Sequence, residues 1–180
     1  MLRKNILLTG AGGYIGSLVI NELARNKKNL ATIIAHDVKP VPKEKQLAGI
    51  HYIQGDIRDE NLGEILKEHG VDTVVHLASI VTPGKKSNRE FEYSVDVLGT
   101  ENLLCACMQH DVKKIIITSS GAAYGYHNDN PQWLAETDAL RGNYEFPYSW
   151  HKRLVEERLA TFRAEHPELK QLVLRPGTVL

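Results

Sequence analysis

The sequence has few residues of the kind that build disulfide scaffolds or metal centres. Its 180 residues include two cysteines, Cys105 and Cys107. A spacing of two within a predicted helix turns their side chains to different faces, so we expect core thiols and no shared metal. The eight histidines form no His-Glu-x-x-His string and no cluster with cysteine. We therefore predict no metal site.

Excess charge and long apolar runs are also missing. The formal net charge is +0, from 22 basic and 22 acidic residues, which argues against electrostatic binding to nucleic acid or to a membrane surface. No apolar run approaches the roughly 18 residues that a membrane span requires. The N-terminus, from Met1 to Lys4, leads directly into a predicted strand without a cleavage-type segment. These absences predict a cytoplasmic protein whose partner is a small molecule.

What the chain does contain begins with a glycine loop between a predicted strand, Lys4 to Thr9, and a predicted helix, Tyr14 to Asn26. In such a strand–turn–helix unit, Gly10 can adopt positive φ, Gly13 lets a pyrophosphate approach the backbone, and Gly16 permits close packing of helix on strand. The helix N-terminus favours a phosphate anion. Tyr14 and Ile15 lie within this loop and are counted with its cofactor-binding residues. An ordinary glycine-rich turn is the alternative.

A second predicted strand, Ala31 to His36, ends at Asp37, which lies 21 residues after Gly16. Dinucleotide-binding folds place a ribose-binding acid at about this distance. A carboxylate there accepts hydrogen bonds from ribose hydroxyls and repels a 2′-phosphate, so the cofactor is predicted to be NAD. Lys39 keeps NADP open as an alternative, and Asp37 could instead be a solvated residue that opens a loop.

Apolar strands and amphipathic helices alternate along the chain, and no repeat or linker interrupts them. This order predicts an α/β fold, a Rossmann-like doubly wound parallel sheet of about six strands with helices on both faces. The stretch from Tyr124 to Phe146 is the one long predicted loop, and long loops in compact domains are often functional. The remaining predicted strands are Ile50 to Gln54, Asp72 to Ala78, Lys114 to Ser119 and Gln171 to Arg175, and the remaining helices are Glu60 to His69, Asn88 to His110 and Pro147 to Glu165.

A pair of titratable side chains stands near the start of the last predicted helix. Tyr148 and Lys152 are four residues apart and therefore share one helix face. A free tyrosine has a pKa of about 10 and is a poor base near neutrality. A neighbouring ammonium and a positive nicotinamide ring would both lower the pKa of Tyr148. Tyr148 could then exchange a proton with a substrate hydroxyl while hydride moves to or from a nicotinamide. An amphipathic helix that carries the two residues incidentally is the alternative.

These motifs together resemble the N-terminal part of the extended short-chain dehydrogenase/reductase family, in its NAD-dependent epimerase/dehydratase type. The resemblance extends over essentially the whole chain. It rests on the glycine loop, on the Tyr148 and Lys152 pair, and on five further segments that match in order. Those segments are Asp56-Ile57, His76 to Ser79, Val97 to Leu104, Thr118 to Gly125 and Arg175-Pro176-Gly177.

The resemblance implies roles for particular residues. Lys152 would hold the nicotinamide ribose as well as assist Tyr148, and Ser120 would hydrogen-bond the substrate oxygen; a strand-end serine that caps a turn is the alternative. The substrate would be a small molecule of the nucleotide-sugar type. The family commonly dimerises through two long helices, so we expect a homodimer built on Asn88 to His110 and Pro147 to Glu165. By resemblance, the cofactor would also contact Asp56, Ile57, Leu77, Ala78 and Ser79.

Two departures from the family pattern limit these expectations. Asp96 stands where extended members often carry asparagine. The chain also stops at Leu180, whereas family members continue into a smaller substrate domain. We therefore expect residues 1–180 to form an NAD-binding domain without that substrate domain, and the isolated chain to have little activity. A simple alcohol dehydrogenase or ketone reductase for a steroid-like or phenolic substrate, and a non-catalytic NAD-binding module, are the other functions considered.

Overall fold

Six parallel strands form one sheet in a computed structural model that describes residues 3–81 and 87–179. Their order across the sheet is β3-β2-β1-β4-β5-β6, and every neighbouring pair is parallel. The predicted Rossmann-like α/β fold is thereby confirmed. Met1 and Leu2, part of the N-terminal prediction, lie outside the described residues. The strands are β1 Lys4–Thr9, β2 Leu30–Asp37, β3 His51–Gln54, β4 Thr73–His76, β5 Lys114–Thr118 and β6 Lys170–Leu174.

The helices follow the predicted order, with one difference in the middle of the chain. The helix predicted from Asn88 to His110 contains one turn of π-helix, Ser94–Leu98, between two α-helical parts. A single π-turn within a helix is often found at a functional site. The α-helices are α1 Tyr14–Arg25, α2 Leu62–Glu68, α3 Arg89–Tyr93, α4 Gly99–Gln109 and α5 Pro147–Glu165, and short 3₁₀ turns cover Lys43–Lys45 and Gly121–Tyr124.

Apolar side chains cover both faces of the sheet because successive strand residues point to opposite sides. Leu7 and Leu8, adjacent in β1, are fully buried and belong to two different core clusters. Ile20 of α1 packs with Leu8, whereas Leu104 of α4 and Leu159 of α5 belong to the cluster of Leu7. Helices therefore cover both faces of the sheet, as the sequence pattern predicts for a doubly wound fold.

The two cysteines behave differently from each other. Cys107 is buried, and burial raises the pKa of its thiol to about 12. Cys105 is exposed, so the expectation of a core thiol is wrong for this residue. A helix turns each residue by about 100°. At a spacing of two, Cys105 is turned well away from Cys107 around the axis of α4, and it faces solvent.

The fold brings the carboxyl ends of β1, β2, β4 and β5 to one edge of the sheet. From β1 the chain continues through α1, on one face of the sheet, to β2 and β3, and it later enters β4 from the other face. The direction in which strands are added to the sheet therefore reverses between β1 and β4. Ligands of such sheets bind in the crevice at this point. No helix within residues 3–81 and 87–179 is both long and apolar enough to cross a membrane. Dimer formation through α3, α4 and α5 stays a prediction.

Candidate active site

The glycine loop is a tight turn between β1 and α1. Gly10 has a φ of +73°, and a Cβ at this position would lie 2.6 Å from the Ala78 backbone nitrogen. At Gly16 a Cβ would lie 2.0 Å from the Gly10 carbonyl oxygen. Gly13 precedes α1 and its N–H donates to the Gly10 carbonyl at 3.1 Å. The structure therefore requires glycine at Gly10 for the turn and at Gly16 for close packing, as predicted.

Asp37 ends β2 and reaches across to the glycine loop. The Gly12 N–H donates to Asp37 Oδ2 at 2.9 Å, and the Lys39 N–H donates to Oδ1 at 2.9 Å. A carboxylate can accept about four hydrogen bonds in all. Asp37 is therefore held in one orientation at the end of β2 while it retains acceptor capacity for another ligand.

A cleft of about 490 Å³ opens at this edge of the sheet. Such a volume suits an organic ligand. Gly10 and Gly13 form one side of the cleft, and the ends of β2, β3 and β4 form the floor. The predicted residues that line the cleft are Gly10, Gly13, Asp37, Asp56, Ile57, Leu77, Ala78 and Ser79.

Some predicted residues lie elsewhere, and some lining residues were missed. Tyr14, Ile15 and Gly16 do not line the cleft: Tyr14 is largely exposed on α1, and Gly16 is buried beneath the loop. Phe91 and Val95 do line the cleft, although they come from the distant helix α3 and the π-turn. Only their helical spacing could have indicated that they share a face. Lys39, which keeps NADP open as an alternative, also lines the cleft, and the other lining residues not predicted to bind the cofactor are Gly12, His36, Val38, Gly55 and Ile80.

A second cluster brings together the three predicted catalytic residues. Ser120 follows β5, and its hydroxyl is near enough to the Tyr148 phenol to lower the pKa of that phenol. The Lys152 ammonium lies 5.6 Å from the centre of the Tyr148 ring. The Ser120 hydroxyl also accepts from the Ala122 N–H at 3.1 Å, so the residue caps a turn as well as contacting the tyrosine. Serine, tyrosine and lysine thus form one polar cluster.

The pKa of Tyr148 differs from the prediction. Burial raises it above the ordinary value, and the nearby Asp96 and Tyr126 add to that rise, while Ser120 opposes it. The predicted depression is therefore wrong for the chain without a ligand. Burial removes water from the phenolate, and this effect outweighs the lowering by Ser120. The contribution expected from a positive nicotinamide ring belongs to the bound state.

Lys152 is itself buried, and burial disfavours the charged form of its amine. Its ammonium donates to the Thr118 carbonyl at 3.2 Å, at the end of β5. Burial lowers the pKa of Lys152, while the carboxylates of Asp96 and Glu156 raise it. A buried ammonium needs such partners to remain charged. The neighbouring carboxylates are therefore part of the site's electrostatics.

The buried Glu156 and the partly buried Arg175 form an ion pair next to the cluster, and Glu156 was not predicted from the sequence. Arg175 Nη2 lies 2.5 Å from Glu156 Oε2, and its Nε donates to the same carboxylate. The Ser119 hydroxyl donates to Glu156 Oε1 at 2.5 Å. Arg175 Nη1 donates to the Tyr124 hydroxyl at 2.6 Å. This network joins α5 to the ends of β5 and β6.

The long loop from Tyr124 to Phe146 ends beside Tyr148. The Asn143 N–H donates to the Ser149 hydroxyl at 2.9 Å, and that hydroxyl donates to the Ala122 carbonyl at 2.7 Å. The rings of Tyr126, Phe146 and Tyr148 follow one another at centre distances of 5.9 and 6.1 Å. The loop is therefore hydrogen-bonded to α5 and presents aromatic side chains next to Tyr148.

In the described part of the chain, no group of three His, Cys, Asp or Glu side chains could hold a metal ion.

Comparisons with known proteins agree with this geometry. A curated UDP-glucose 4-epimerase from Yersinia enterocolitica is 32% identical over 179 residues, which are 95% of this chain and 52% of that protein. The crystal structure of the UDP-glucose 4-epimerase of Thermotoga maritima with UDP-glucose is similar, with a TM-score of 0.81 and 29% identity over 95% of this chain and 54% of that one. That of Brucella ovis in complex with NAD has a TM-score of 0.80 and 26% identity, and the match covers 96% of this chain and 51% of that one.

This chain spans about half the length of the relatives it matches. The sequence model of the NAD dependent epimerase/dehydratase family matches residues 6–180. That range includes the glycine loop, Asp37 and the Ser120, Tyr148 and Lys152 cluster. The chain therefore belongs to the NAD dependent epimerase/dehydratase family.

Proposed function

We propose that this chain is the NAD-binding domain of an enzyme that epimerises or dehydrates a nucleotide sugar. The observation that carries the proposal is the convergence of Ser120, Tyr148 and Lys152 at the carboxyl end of β5, beside the cleft formed by the glycine loop. A protein that only binds NAD needs no such cluster. The long loop fastened to α5 is a further feature that suits a substrate site.

The cleft fits a dinucleotide in its chemistry. The positive φ of Gly10 and the close approach at Gly16 create a turn in which no side chain stands between the backbone and a ligand. The N-terminus of α1, which is the positive end of the helix dipole, suits the pyrophosphate. Asp37 would accept hydrogen bonds from the adenosine ribose, and its charge would exclude a 2′-phosphate.

The bound NAD would supply an acceptor and donor of hydride. The chain's own contribution is proton transfer and orientation. Tyr148 would take the proton from a sugar hydroxyl at its phenolic oxygen and return it, and Ser120 would hold the same substrate oxygen. Lys152 would stabilise the phenolate by its positive charge, which opposes the effect of burial on Tyr148.

Relatives support the nucleotide-sugar class. The Yersinia enterocolitica relative is a UDP-glucose 4-epimerase, and the Thermotoga maritima structure contains UDP-glucose. Both matches extend over 95% of this chain. We therefore propose UDP-glucose as the first substrate to test.

Calorimetric titration with NAD and NADP tests the cofactor. We expect NAD to bind more tightly than NADP by about tenfold or more, because a carboxylate beside a phosphate is repelled. Asp37→Asn should narrow this difference, and Glu44→Gln, which removes a negative charge from the 3₁₀ turn between β2 and β3, serves as a matched control. Equal binding of the two cofactors would contradict the role of Asp37, and binding of neither would contradict the cleft as a dinucleotide site.

The substitution Tyr148→Phe tests the chemistry. Turnover is measured in the complete enzyme that we propose contains this domain, where NAD and UDP-glucose should yield the near-ultraviolet absorbance of reduced nicotinamide or the epimerised sugar. Tyr148→Phe should lower this rate by about 10²–10⁴-fold, as expected for a lost acid–base group, and leave NAD affinity nearly unchanged. Tyr144→Phe, an exposed tyrosine of the long loop, is the control. A Tyr148→Phe variant that keeps the wild-type rate would overturn the mechanism.

A further inference from the structure

Two buried polar atoms face each other next to the catalytic cluster without a hydrogen bond. Asp96 is 3% exposed and His151 is 1% exposed. Asp96 Oδ2 lies 3.7 Å from His151 Nδ1, and neither atom has another hydrogen-bond partner. The separation is longer than a hydrogen bond, and buried polar atoms of native proteins are nearly always paired. These two atoms are therefore the natural partners of each other.

The π-turn determines where the Asp96 carboxylate lies. Asp96 belongs to the single π-helical turn, and its carbonyl accepts from the Thr100 hydroxyl at 2.6 Å. Its Oδ1 accepts from the Ile80 N–H at 2.9 Å, in the segment that follows β4 and lines the cleft. One carboxylate oxygen is thus held by the cleft wall, and the other is directed toward α5.

His151 comes directly before Lys152 on α5. Its ring contacts the Tyr93 ring edge-on, at a centre distance of 5.8 Å, so α3 closes one side of the imidazole. The other titratable groups that act electrostatically on this place are Lys152 and Tyr148 from α5 and His76 from β4. Among them, Lys152 is the buried cation that most needs a negative partner.

Glu156, the other carboxylate close to Lys152, has its own cation. Arg175 binds it through two nitrogens, and the Ser119 hydroxyl donates to it as well. Asp96 differs, because no lysine or arginine of the described chain forms an ion pair with it, and His151 is the basic group within 4 Å. The negative charge of Asp96 is therefore available to Lys152.

We infer that Asp96 and His151 form a carboxylate–imidazole pair that fixes a negative charge beside Lys152 and so keeps the Lys152 ammonium charged. Asp96 and His151 are positioning residues in this arrangement, since they act on the reaction through Lys152. His151 holds Oδ2 and the Ile80 N–H holds Oδ1, so the carboxylate cannot turn away. The inference deepens the proposed function and rests on it for the importance of Lys152.

The direct test follows the titration of Lys152 by NMR in protein labelled at the lysine side chains, without cofactor or substrate. The Lys152 signal is assigned by its loss in Lys152→Met. Asp96→Asn, which is isosteric and keeps an acceptor for Ile80, should shift the Lys152 titration to lower pH because it removes a charge that raises the pKa of Lys152. His151→Gln should shift it in the same direction by less, because the carboxylate is then free to move.

Glu92→Gln is the matched control, since Glu92 is a buried carboxylate one turn earlier that accepts from Ser87 and Asn88. It should leave the Lys152 titration unchanged. An unchanged titration in Asp96→Asn would overturn the inference, and an unchanged titration in His151→Gln would overturn the pair. Should Asp96→Asn fail to fold, the wild-type protein decides the question, because a hydrogen-bonded Nδ1 proton on His151 at low field is expected and its absence would overturn the pair.

The proposed function and the inference about Asp96 and His151 are contradicted by different results. Loss of NAD binding, or an unaltered rate in Tyr148→Phe, contradicts the proposed function without changing the Lys152 titration. A Lys152 titration indifferent to Asp96 contradicts the inference and leaves cofactor binding and turnover as they are.

Discussion

At the scale of single residues, buried ionisable groups are the main source of both chemistry and instability in this chain. Lys152, Glu156, Asp96, His76 and His151 are all nearly inaccessible. Each gains hydrogen bonds or an opposite charge, and each loses hydration. Where the partners are strong, as for Glu156 and Arg175, burial is offset. Where they are weak or neutral, the group changes its protonation instead.

His76 predicts a loss of stability in acid. The imidazole is fully buried between the hydroxyls of Thr9 and Thr100, at 2.7 and 3.0 Å, and burial lowers its pKa to about 3. The unfolded chain takes up a proton below about pH 6.5, whereas the folded chain cannot do so until about pH 3. The free energy of unfolding should therefore fall by up to about 1.4 kcal/mol for each pH unit within this window. Burial also lowers the pKa of His36, which adds to the loss.

Urea unfolding at several pH values measures this effect. His76→Gln should be less stable than the wild type near neutrality, because the hydroxyls lose a partner, and should lose stability less steeply in acid. Thr100→Val keeps the buried imidazole and should keep the steep dependence. A His76→Gln variant as acid-sensitive as the wild type would show that other groups cause the loss.

At the scale of elements, local sequence patterns account for much of what is seen. The apolar run of β1, the glycine loop and α1 form one unit whose bounds are predictable because every signal is local. The same holds for α5, which begins at Pro147, a residue suited to the first turn of a helix. Ser120, Tyr148 and Lys152 could be named because each belongs to a short motif.

Features that depend on contacts between distant segments could not be predicted. The π-turn at Ser94–Leu98 has no local signature in the sequence, because it depends on the contacts that Asp96 makes with Ile80 and with α5. The pairing of Glu156 with Arg175 joins residues 19 apart on different elements. The raised pKa of Tyr148 likewise reflects burial, which a pattern of residue types does not measure.

The close packing of α1 on the glycine loop predicts a large effect of one methyl group. Gly16→Ala would place a Cβ 2.0 Å from the Gly10 carbonyl oxygen, so the helix must move away from the loop. Although alanine favours helices over glycine by about 1 kcal/mol, we expect a net loss of about 1–3 kcal/mol in the free energy of unfolding, with weaker NAD binding. Urea unfolding and calorimetry measure the two effects.

Gly177→Ala is the matched control, because a Cβ there has no atom within 4 Å. It should change neither stability nor NAD affinity appreciably. If Gly16→Ala were as stable as the wild type and bound NAD equally well, the close approach would not be required.

At the scale of the whole molecule, one ion pair connects three parts of the fold. Arg175 follows β6, Glu156 lies in α5, and the Tyr124 hydroxyl and the Glu136 carbonyl bring in the long loop. Removing Arg175 leaves the buried Glu156 carboxylate without its opposite charge, and such a loss typically costs about 3–5 kcal/mol. Arg175→Met should therefore destabilise the chain by roughly this amount and loosen the loop beside Tyr148.

A double substitution separates the charge effect from the loss of contacts. Glu156→Gln combined with Arg175→Met removes both charges and should recover part of the stability lost in Arg175→Met. Arg141→Met is the control, since Arg141 makes a similar two-pronged pair with Asp129 that is exposed to solvent, where ion pairs contribute little. Equal losses in Arg175→Met and Arg141→Met, measured by thermal unfolding, would show that burial of the pair does not matter.

The contact between the Asp37 carboxylate and the glycine loop also affects the rate at which a ligand binds. The Gly12 N–H donates to Asp37, the Ala11 N–H donates to the His36 carbonyl, and the Leu77 N–H donates to the Thr9 carbonyl. The loop is thus tied to the strands on both of its sides before any ligand arrives. The loop is therefore already ordered when a dinucleotide binds. The entropy of ordering the loop is lost during folding, so the association rate is set by diffusion and orientation.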